Sequence, residues 1–175
     1  MNFTDINFIF LFLPIMVLLH GVTKGTLRNA VLFLGSLVFY AFAVGGRYGW
    51  VLLLILSTAI NYVMGRSLAS CEGRGRKLVL WTGVAYNVIT LCLYKYTDAW
   101  LSPLLPAISG AVGAMSAASE VLLPLGLSFY TFKNISYLNE VYTGKVDAER
   151  SFIRYGAYLT IFPQISMGPI QTYEA

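Results

Sequence analysis

Charged residues are scarce in this chain. Of its 175 residues, 11% are charged and 57% are hydrophobic, whereas soluble domains usually have about 25% charged residues. This shortage argues against a water-soluble domain, a disordered chain and a secreted disulfide scaffold. The charges are also clustered, since residues 6–23, 29–46, 48–65 and 78–94 contain none. Each run is as long as a transmembrane helix, roughly 17–25 residues, so we predict an integral membrane protein.

Cysteine and histidine are almost missing as well. Cys71 lies in a basic loop and Cys92 in an apolar run, so we expect them on opposite sides of the membrane region, without a disulfide. No Cys/His cluster has the spacing of metal ligands, and no metal is expected. His20 could serve as a general base by residue type. Its position at the end of an apolar run favours a loop or interfacial residue instead.

The net charge of +4 comes mainly from basic residues between the apolar runs. No Arg-rich helix accompanies them, so nucleic-acid binding is not expected. The connections after the first and third runs carry six basic residues, namely Lys24, Arg28, Arg66, Arg74, Arg76 and Lys77. The other side has two, Arg47 and Lys95. The positive-inside rule then places the larger set in the cytoplasm and the N-terminus outside it.

The apolar runs predict an all-α, polytopic transmembrane helical bundle, formed as one domain over residues 1–175. The predicted spans are about 6–22, 27–44, 48–64, 78–94, 121–142 and 155–173. Asp5 before the first run and Lys24 after it are the reverse of a signal peptide, so we expect this span to be retained. The first and second connections are short, which makes the helices that they join neighbours. Residues 99–119 contain Pro and Gly and are expected to form an external loop with a short amphipathic or partly inserted helix.

Several predicted spans contain polar residues. The segment 121–142 holds Lys133 and Asn134 within an aromatic, apolar stretch. A lysine at membrane depth costs about 2.5–3.5 kcal/mol unless it snorkels or finds a partner, so this helix should face protein or a water-filled cavity. The polar residues of the earlier spans are expected to make interhelical hydrogen bonds; they are Ser57, Asn61, Tyr86 and Asn87.

The last predicted span, 155–173, is interrupted by Pro163, Gly168 and Pro169. Such a break is tolerated at membrane depth where the segment is buried in protein or lines a cavity. We therefore expect a helix that runs into a bent or re-entrant segment.

Six sequence blocks follow one another along the chain. They are FIFLFLP (8–14), RNAVLFLGSLVFYAF (28–42), STAINYVMG (57–65), NVITLCLYKY (87–96), LPLGLSFYTFKNISYLNEVYTG (123–144) and YLTIFPQISMGPIQTY (158–173). Together they resemble the bacterial branch of the membrane-bound O-acyltransferase family. The LPLGLSFYTF and FPQ…GPI blocks are the most specific, and the resemblance covers nearly the whole chain.

The resemblance implies a helical bundle around a tunnel, in the bacterial cytoplasmic membrane. There an acyl group, expected to be acetyl, passes to hydroxyls of an extracytoplasmic polysaccharide or cell-wall polymer. The donor would be an acyl-CoA or an acyl-carrier-protein thioester acting as co-substrate, with no bound cofactor. Besides the lipid bilayer, the implied partners are the donor's carrier and a periplasmic or surface polysaccharide-modifying protein.

Candidate residues for lining this tunnel come from the last two spans. They are Phe129, Tyr130, Lys133, Asn134, Gln164, Gly168 and Pro169, with Phe132 as a further aromatic wall residue. Lys133 could contact an anionic acyl donor or pair with a buried carboxylate such as Glu140. The alternatives are structural: a lysine in a polar interior, aromatic side chains that only pack, and a bend that only lets helices pass closely.

This sequence departs from the family pattern. The family usually has Gln and a small residue at the positions of Lys133 and Asn134, Asp at that of Glu140, and Arg at that of Thr172. The family's essential histidine lies beyond the matched residues. We therefore expect the N-terminal part of a larger acyltransferase, with no catalytic residue and no activity by itself. The alternative is a non-catalytic membrane scaffold or conduit, whereas a secondary transporter would be expected to show an internal repeat.

Overall fold

The helices of this protein follow the apolar runs of the sequence. A computed structural model describes residues 8–45, 48–95, 126–161 and Tyr173. Within these residues there are six α-helices and no strand. They are α1 (Leu13–Val22), preceded by a π-helical turn (Phe8–Phe12), α2 (Thr26–Ala43), α3 (Tyr48–Ser70), α4 (Gly73–Lys95), α5 (Leu127–Thr143) and α6 (Phe152–Thr160). The predicted all-α bundle is confirmed.

Three of the helices, α2, α3 and α4, are long and apolar enough to cross a membrane. These helices expose many large apolar side chains on the surface of the bundle. In a membrane, most of these side chains would face lipid. Phe42 and Leu52, for example, are 62% and 67% exposed. The chain is a multi-pass membrane protein in contact with the bilayer. The predicted external loop at 99–119 lies outside the described residues.

Helices α3 and α4 are longer than the predicted spans at 48–64 and 78–94. Only Cys71 and Glu72 separate them, so most of the predicted basic loop is helical. Counting uncharged residues finds only the apolar part of a helix. The helix itself continues where long basic side chains can reach the polar interface. Cys71 and Cys92 are both free and lie near opposite ends of α4, about 30 Å apart at 1.5 Å per residue.

Glycine sets both ends of α5. Gly126, before the helix, and Gly144, after it, have positive φ angles of 75° and 73°, which glycine adopts without steric cost. At the C-terminal end, the Gly144 N–H donates to the Val141 carbonyl and the Lys145 N–H to the Glu140 carbonyl. This is a Schellman motif, which ends the helix and satisfies its last carbonyls. The helix begins six residues after the start of the predicted span at 121, and residues 121–125 lie outside the described part.

The centre of the bundle is formed where α3, α4, α5 and α6 meet. Helix α5 packs against both α3 and α4, and α6 packs against α2, α3 and α5. The expected neighbours α1–α2 and α2–α3 are also in contact. One buried apolar cluster contains Leu68, Tyr137 and Tyr155, and a second contains Tyr40 and Tyr130. The two clusters lie at opposite ends of the bundle.

Most basic residues lie on one side of the bundle. At the start of α4, Arg76 donates to the carbonyl of Val141 near the end of α5, with 2.8 Å between Nη2 and O. Tyr62 of α3 donates to the carbonyl of Arg150, just before α6, at 2.7 Å. Phe33, in the first half of α2, lies beside Phe152 at the start of α6, with 5.9 Å between ring centroids. The three connections α1–α2, α3–α4 and α5–α6 therefore share one side, which we call the basic face. It carries Lys24, Arg28, Arg66, Arg74, Arg76, Lys77, Lys145, Arg150 and Arg154.

Candidate functional site

Five buried polar residues join four helices in the interior. We call them the amide network: Ser57 and Asn61 of α3, Asn87 of α4, Asn134 of α5 and Tyr155 of α6. Each is at most 1% exposed. Asn61 and Asn87 bond to each other across α3 and α4, so the expectation that these two residues make interhelical hydrogen bonds is confirmed.

Asn134 extends the network to α5 and α6. Its Nδ2 donates to Asn87 Oδ1 at 3.4 Å and to Ser57 Oγ at 3.5 Å. Its Oδ1 accepts a bond of 2.6 Å from the Tyr155 hydroxyl. A network whose members satisfy one another holds helices together within an apolar medium. Asn134, predicted as a tunnel residue, is therefore part of the helix-joining interior.

Glycines allow the helices to come close around this network. A Cβ added at Gly65 of α3 would lie 2.6 Å from Cε1 of Tyr137. One added at Gly83 of α4 would lie 2.6 Å from Cδ1 of Leu138. Small residues at helix contacts permit such close packing. Glycine at these two positions therefore leaves room for Tyr137 and Leu138 of α5 to lie close to α3 and α4.

Lys133 lies in the protein interior. It is 2% exposed, although it carries a charge. Its Nζ donates to the carbonyl of Tyr158 at 3.2 Å and lies 5.1 Å from the centre of the Tyr158 ring. This contact joins α5 to α6 and combines a hydrogen bond with a cation–π interaction. The structure therefore places Lys133 inside the bundle, as the sequence predicted for this face of the helix.

Glu140, the carboxylate considered as a partner of Lys133, has other partners. Its Oε1 accepts a bond from Ser136 at 2.7 Å, and its Oε2 accepts one from the Tyr173 N–H at 2.9 Å. Glu140 stands seven residues after Lys133, about 10 Å along the helix. The described contacts thus place Tyr158, rather than Glu140, beside Lys133.

The three aromatic residues predicted to line the tunnel differ in their solvent exposure. Tyr130 is 1% exposed, Phe132 is 49% exposed, and Phe129 lies between these extremes. Successive residues of an α-helix turn by about 100°, so these three side chains do not share one face. Phe132 lies on the outer surface of the described bundle, and the role of these three side chains in a tunnel stays a prediction.

Two buried tyrosines have hydroxyls that no described residue pairs with. Tyr40 and Tyr130 belong to the same apolar cluster and are 0% and 1% exposed. Neither hydroxyl has a hydrogen-bond partner within residues 8–45, 48–95, 126–161 and Tyr173. A buried polar group without a partner is unusual and costs about 1–3 kcal/mol. Sequence reasoning missed Tyr40, because a tyrosine within an apolar run looks like an ordinary interfacial aromatic residue.

The predicted bent segment is only partly described. Gln164, Gly168 and Pro169 lie outside the described residues. Tyr137 is in ring contact with Tyr155, at 4.7 Å between centroids, and with Tyr173, at 5.1 Å. Both ends of the predicted last span therefore lie beside the same residue, near the basic face.

The connection between α5 and α6 is held by Glu149. Its Oε1 accepts bonds from the N–H groups of Arg150 and Ser151, and its Oε2 accepts one of 2.6 Å from the Tyr173 hydroxyl. Partial burial raises the pKa of Glu149. These hydrogen bonds and the nearby Arg154 outweigh that effect and lower the pKa below its ordinary value of 4.5. Glu149 therefore stays ionised and fixes this connection.

Other candidate sites lie apart from this interior. His20 stands half-buried in the last turn of α1, a position that suits the interfacial interpretation. Among the described residues, no group of three His, Cys, Asp or Glu could hold a metal. An apolar groove of about 790 Å³ runs between α1 and α2, lined by Met16 and Gly35 among others. Of the predicted tunnel residues that the structure describes, none lines this groove.

Known proteins match the chain over nearly its whole length. It is 32% identical over 99% of its length to "Probable alginate O-acetylase AlgI" of Pseudomonas aeruginosa. A protein of the same name from Azotobacter vinelandii is 31% identical over 99% of the chain. The "Peptidoglycan O-acetyltransferase" of Helicobacter pylori is 27% identical over 93% of the chain. These matches cover 33%, 35% and 35% of the three relatives.

The chain thus spans about a third of the length of the curated relatives that it matches. No family model matches it, and no solved structure does. The relatives named O-acetylase and O-acetyltransferase are enzymes of the type that the sequence blocks resemble. These relatives confirm the resemblance of the chain to the membrane-bound O-acyltransferase family.

Proposed function

We propose that this chain forms part of an O-acyltransferase that transfers an acyl group, acetyl by analogy, to hydroxyls of an extracytoplasmic polysaccharide or cell-wall polymer. The observation that carries the proposal is the match of 99% of the chain to alginate O-acetylases. The peptidoglycan O-acetyltransferase adds a second polymer of the same chemical class. Both names describe the transfer of acetyl groups to sugar hydroxyls.

The basic face supports an orientation for this reaction. Nine of the twelve Lys and Arg residues lie on that side, which the positive-inside rule assigns to the cytoplasm. The N-terminus would then be extracytoplasmic. An acyl donor such as acyl-CoA or an acyl-carrier-protein thioester is anionic and would approach from the basic side. The acceptor, and a periplasmic or surface partner that presents it, would be on the other side.

Lys133 is the residue of this chain that we propose to act on the donor. A buried cation between α5 and α6 is costly unless it has partners, and a positive charge there can attract an anionic group. Its contacts with Tyr158 hold it in position. In this proposal, Lys133 positions the donor, and the acid–base chemistry belongs to residues outside this chain.

The test is genetic, in the organism that carries the gene. The gene is deleted, and the acetyl groups released by mild base from exopolysaccharide and peptidoglycan are quantified. We expect one polymer to lose most of its O-acetyl groups and to recover them on complementation with the wild-type gene. Unchanged acetylation of both polymers would favour a non-catalytic scaffold or conduit.

The role of Lys133 is tested in the same strain. Lys133→Gln at normal protein level should lower acetylation at least tenfold if the charge serves the donor. Lys145→Gln, an exposed change on the α5–α6 connection, is the matched control and should leave acetylation unchanged. Normal acetylation with Lys133→Gln would leave the lysine a purely structural role.

A further inference from the structure

A polar pocket opens on the basic face between α3 and the α5–α6 connection. Its volume is about 490 Å³. Its lining consists of Arg66, Ala69, Ser70, Asp147, Ala148 and Arg150. Two arginines and one aspartate thus contribute to the lining, which gives these residues a net positive charge. This pocket lies outside the amide network and the Lys133 contact.

The wall of the pocket that carries Arg150 is fixed before any ligand binds. The Arg150 carbonyl accepts a bond of 2.7 Å from Tyr62 of α3, and its N–H donates to Glu149 at 2.9 Å. Tyr137 of α5 accepts a bond from the N–H of Glu149 at 3.0 Å. The backbone at this position is therefore tied to two helices. A fixed backbone lowers the entropy cost of binding a ligand.

The carboxylate next to Arg150 in sequence is already engaged. Both oxygens of Glu149 accept hydrogen bonds, from two backbone N–H groups and from Tyr173. Its charge also interacts with Arg154, and Glu149 is not among the residues that line the pocket. Of the acidic residues that the structure describes, Asp147 alone lines the pocket. One positive charge in excess therefore remains to attract an anion.

Guanidinium groups suit one class of anion in particular. Their planar N–H donors match the oxygens of a phosphate ester in two parallel bonds. A pocket of this size can hold a phosphate group with part of the molecule that bears it, and Asp147 can accept a bond from a hydroxyl of that molecule. We propose that Arg66 and Arg150 form a binding site for a phosphate ester that carries hydroxyl groups.

Two sources could supply such a phosphate at this face. One is a soluble phosphorylated molecule such as the nucleotide part of an acyl donor, and the other is the headgroup of an anionic lipid. Both present the same chemistry to the two arginines. The site does not depend on the proposed acyl transfer, since a lipid phosphate would occupy it equally.

The experiment uses the purified full-length protein in a neutral detergent. Binding of coenzyme A is measured by titration calorimetry, and retention of phosphatidylglycerol by native mass spectrometry. We expect at least one probe to bind, and Arg66→Gln or Arg150→Gln to weaken that probe at least tenfold. Arg74→Gln removes an exposed arginine of the same face outside the pocket, and should change binding less than twofold.

The pattern of results identifies the source or rejects the site. Loss of coenzyme A binding alone assigns a soluble phosphate ester, loss of the lipid alone assigns a headgroup, and loss of both assigns the shared phosphate chemistry. The proposal is overturned if neither probe binds, or if Arg74→Gln weakens binding as much as Arg66→Gln, because the effect would then be general surface charge. Thermal melting of each variant confirms that it is folded, and acetylation is assayed separately.

Discussion

Asn61 of α3 and Asn87 of α4 exchange two hydrogen bonds inside the bundle. Asn87 Nδ2 donates to Asn61 Oδ1 at 2.6 Å, and Asn61 Nδ2 donates to Asn87 Oδ1 at 3.3 Å. Asn87 Nδ2 also donates to the carbonyl of Gly83. This pair is the centre of the amide network, because Asn134 of α5 bonds to the same oxygen of Asn87.

Replacing Asn87 should therefore destabilise the bundle. Asn87→Leu keeps the approximate volume but leaves Asn61 Oδ1 without its donor, at a cost of about 1–3 kcal/mol. Asn139→Leu is the matched control, since Asn139 is exposed on α5, and should change stability by less than about 0.5 kcal/mol. Unfolding in mixed micelles with increasing SDS measures both. Equal stability of the two variants would contradict the role of the network.

Tyrosine hydroxyls in this protein should differ sharply in their contribution to stability. Tyr155→Phe removes the 2.6 Å bond to Asn134 and leaves a buried amide oxygen unpaired, so we expect a loss of about 1–3 kcal/mol. Tyr40→Phe and Tyr130→Phe remove hydroxyls that have no partner in the described part of the chain, and should leave stability unchanged or slightly higher. The same unfolding assay compares the three variants. A large loss with Tyr40→Phe would mean that its hydroxyl has a partner in the membrane.

The contact of α6 with α2 requires glycine at position 156. A Cβ at Gly156 would lie 2.6 Å from Cε2 of the Phe33 ring. Gly156→Ala should therefore separate the helices and cost about 1–3 kcal/mol through overpacking. Gly21→Ala is the control, because nothing lies within 4 Å of a Cβ there. Thermal melting followed by size-exclusion chromatography measures both, and a higher midpoint for Gly156→Ala would show that Phe33 moves aside freely.

The α5–α6 connection should loosen at acid pH. The pKa of Glu149 is lower in the folded protein than its ordinary value of 4.5. Its contribution to stability is therefore complete above the unfolded pKa and is lost as the pH falls through the folded one. Hydrogen exchange of the Arg150 and Ser151 amides should accelerate below about pH 4.5 in the wild type.

The control for this prediction is Glu149→Gln. An amide oxygen can still accept bonds, but it carries no titrating charge. Exchange in the variant should be faster than in the wild type at neutral pH and should show little further acceleration towards acid pH, beyond the intrinsic pH dependence of exchange. An identical pH profile for the variant and the wild type would assign the loosening to another group.

Hydropathy was a good guide to the helices and a poor guide to their ends. Uncharged runs located α2, α3 and α4, because a bilayer selects stretches of apolar side chains that are long enough to cross it. The same count ended α3 near Met64, although the helix continues to Ser70. Charge marks the edge of the apolar region, whereas a helix ends where its backbone bonds can be satisfied in another way.

Individual site residues were harder to place. Asn61 and Asn87 could be expected to bond between helices, because an amide in an apolar span needs a partner. Tyr158 could not be foreseen as the partner of Lys133, nor Arg150 as the neighbour of Arg66 across the pocket. These pairs come from different helices and connections, and the crossing of the helices decides which residues meet.

The sequence by itself determined the environment of each segment. The uncharged runs belong in the bilayer, and the clustered Lys and Arg residues belong at a polar interface. Those assignments depend on local composition, which any short window of the chain contains. The tertiary structure alone decided that Asn134 joins Ser57, 77 residues away, and that Lys133 turns towards α6. Hydrogen bonds act over about 3 Å, so only the packed arrangement of distant helices selects the partners.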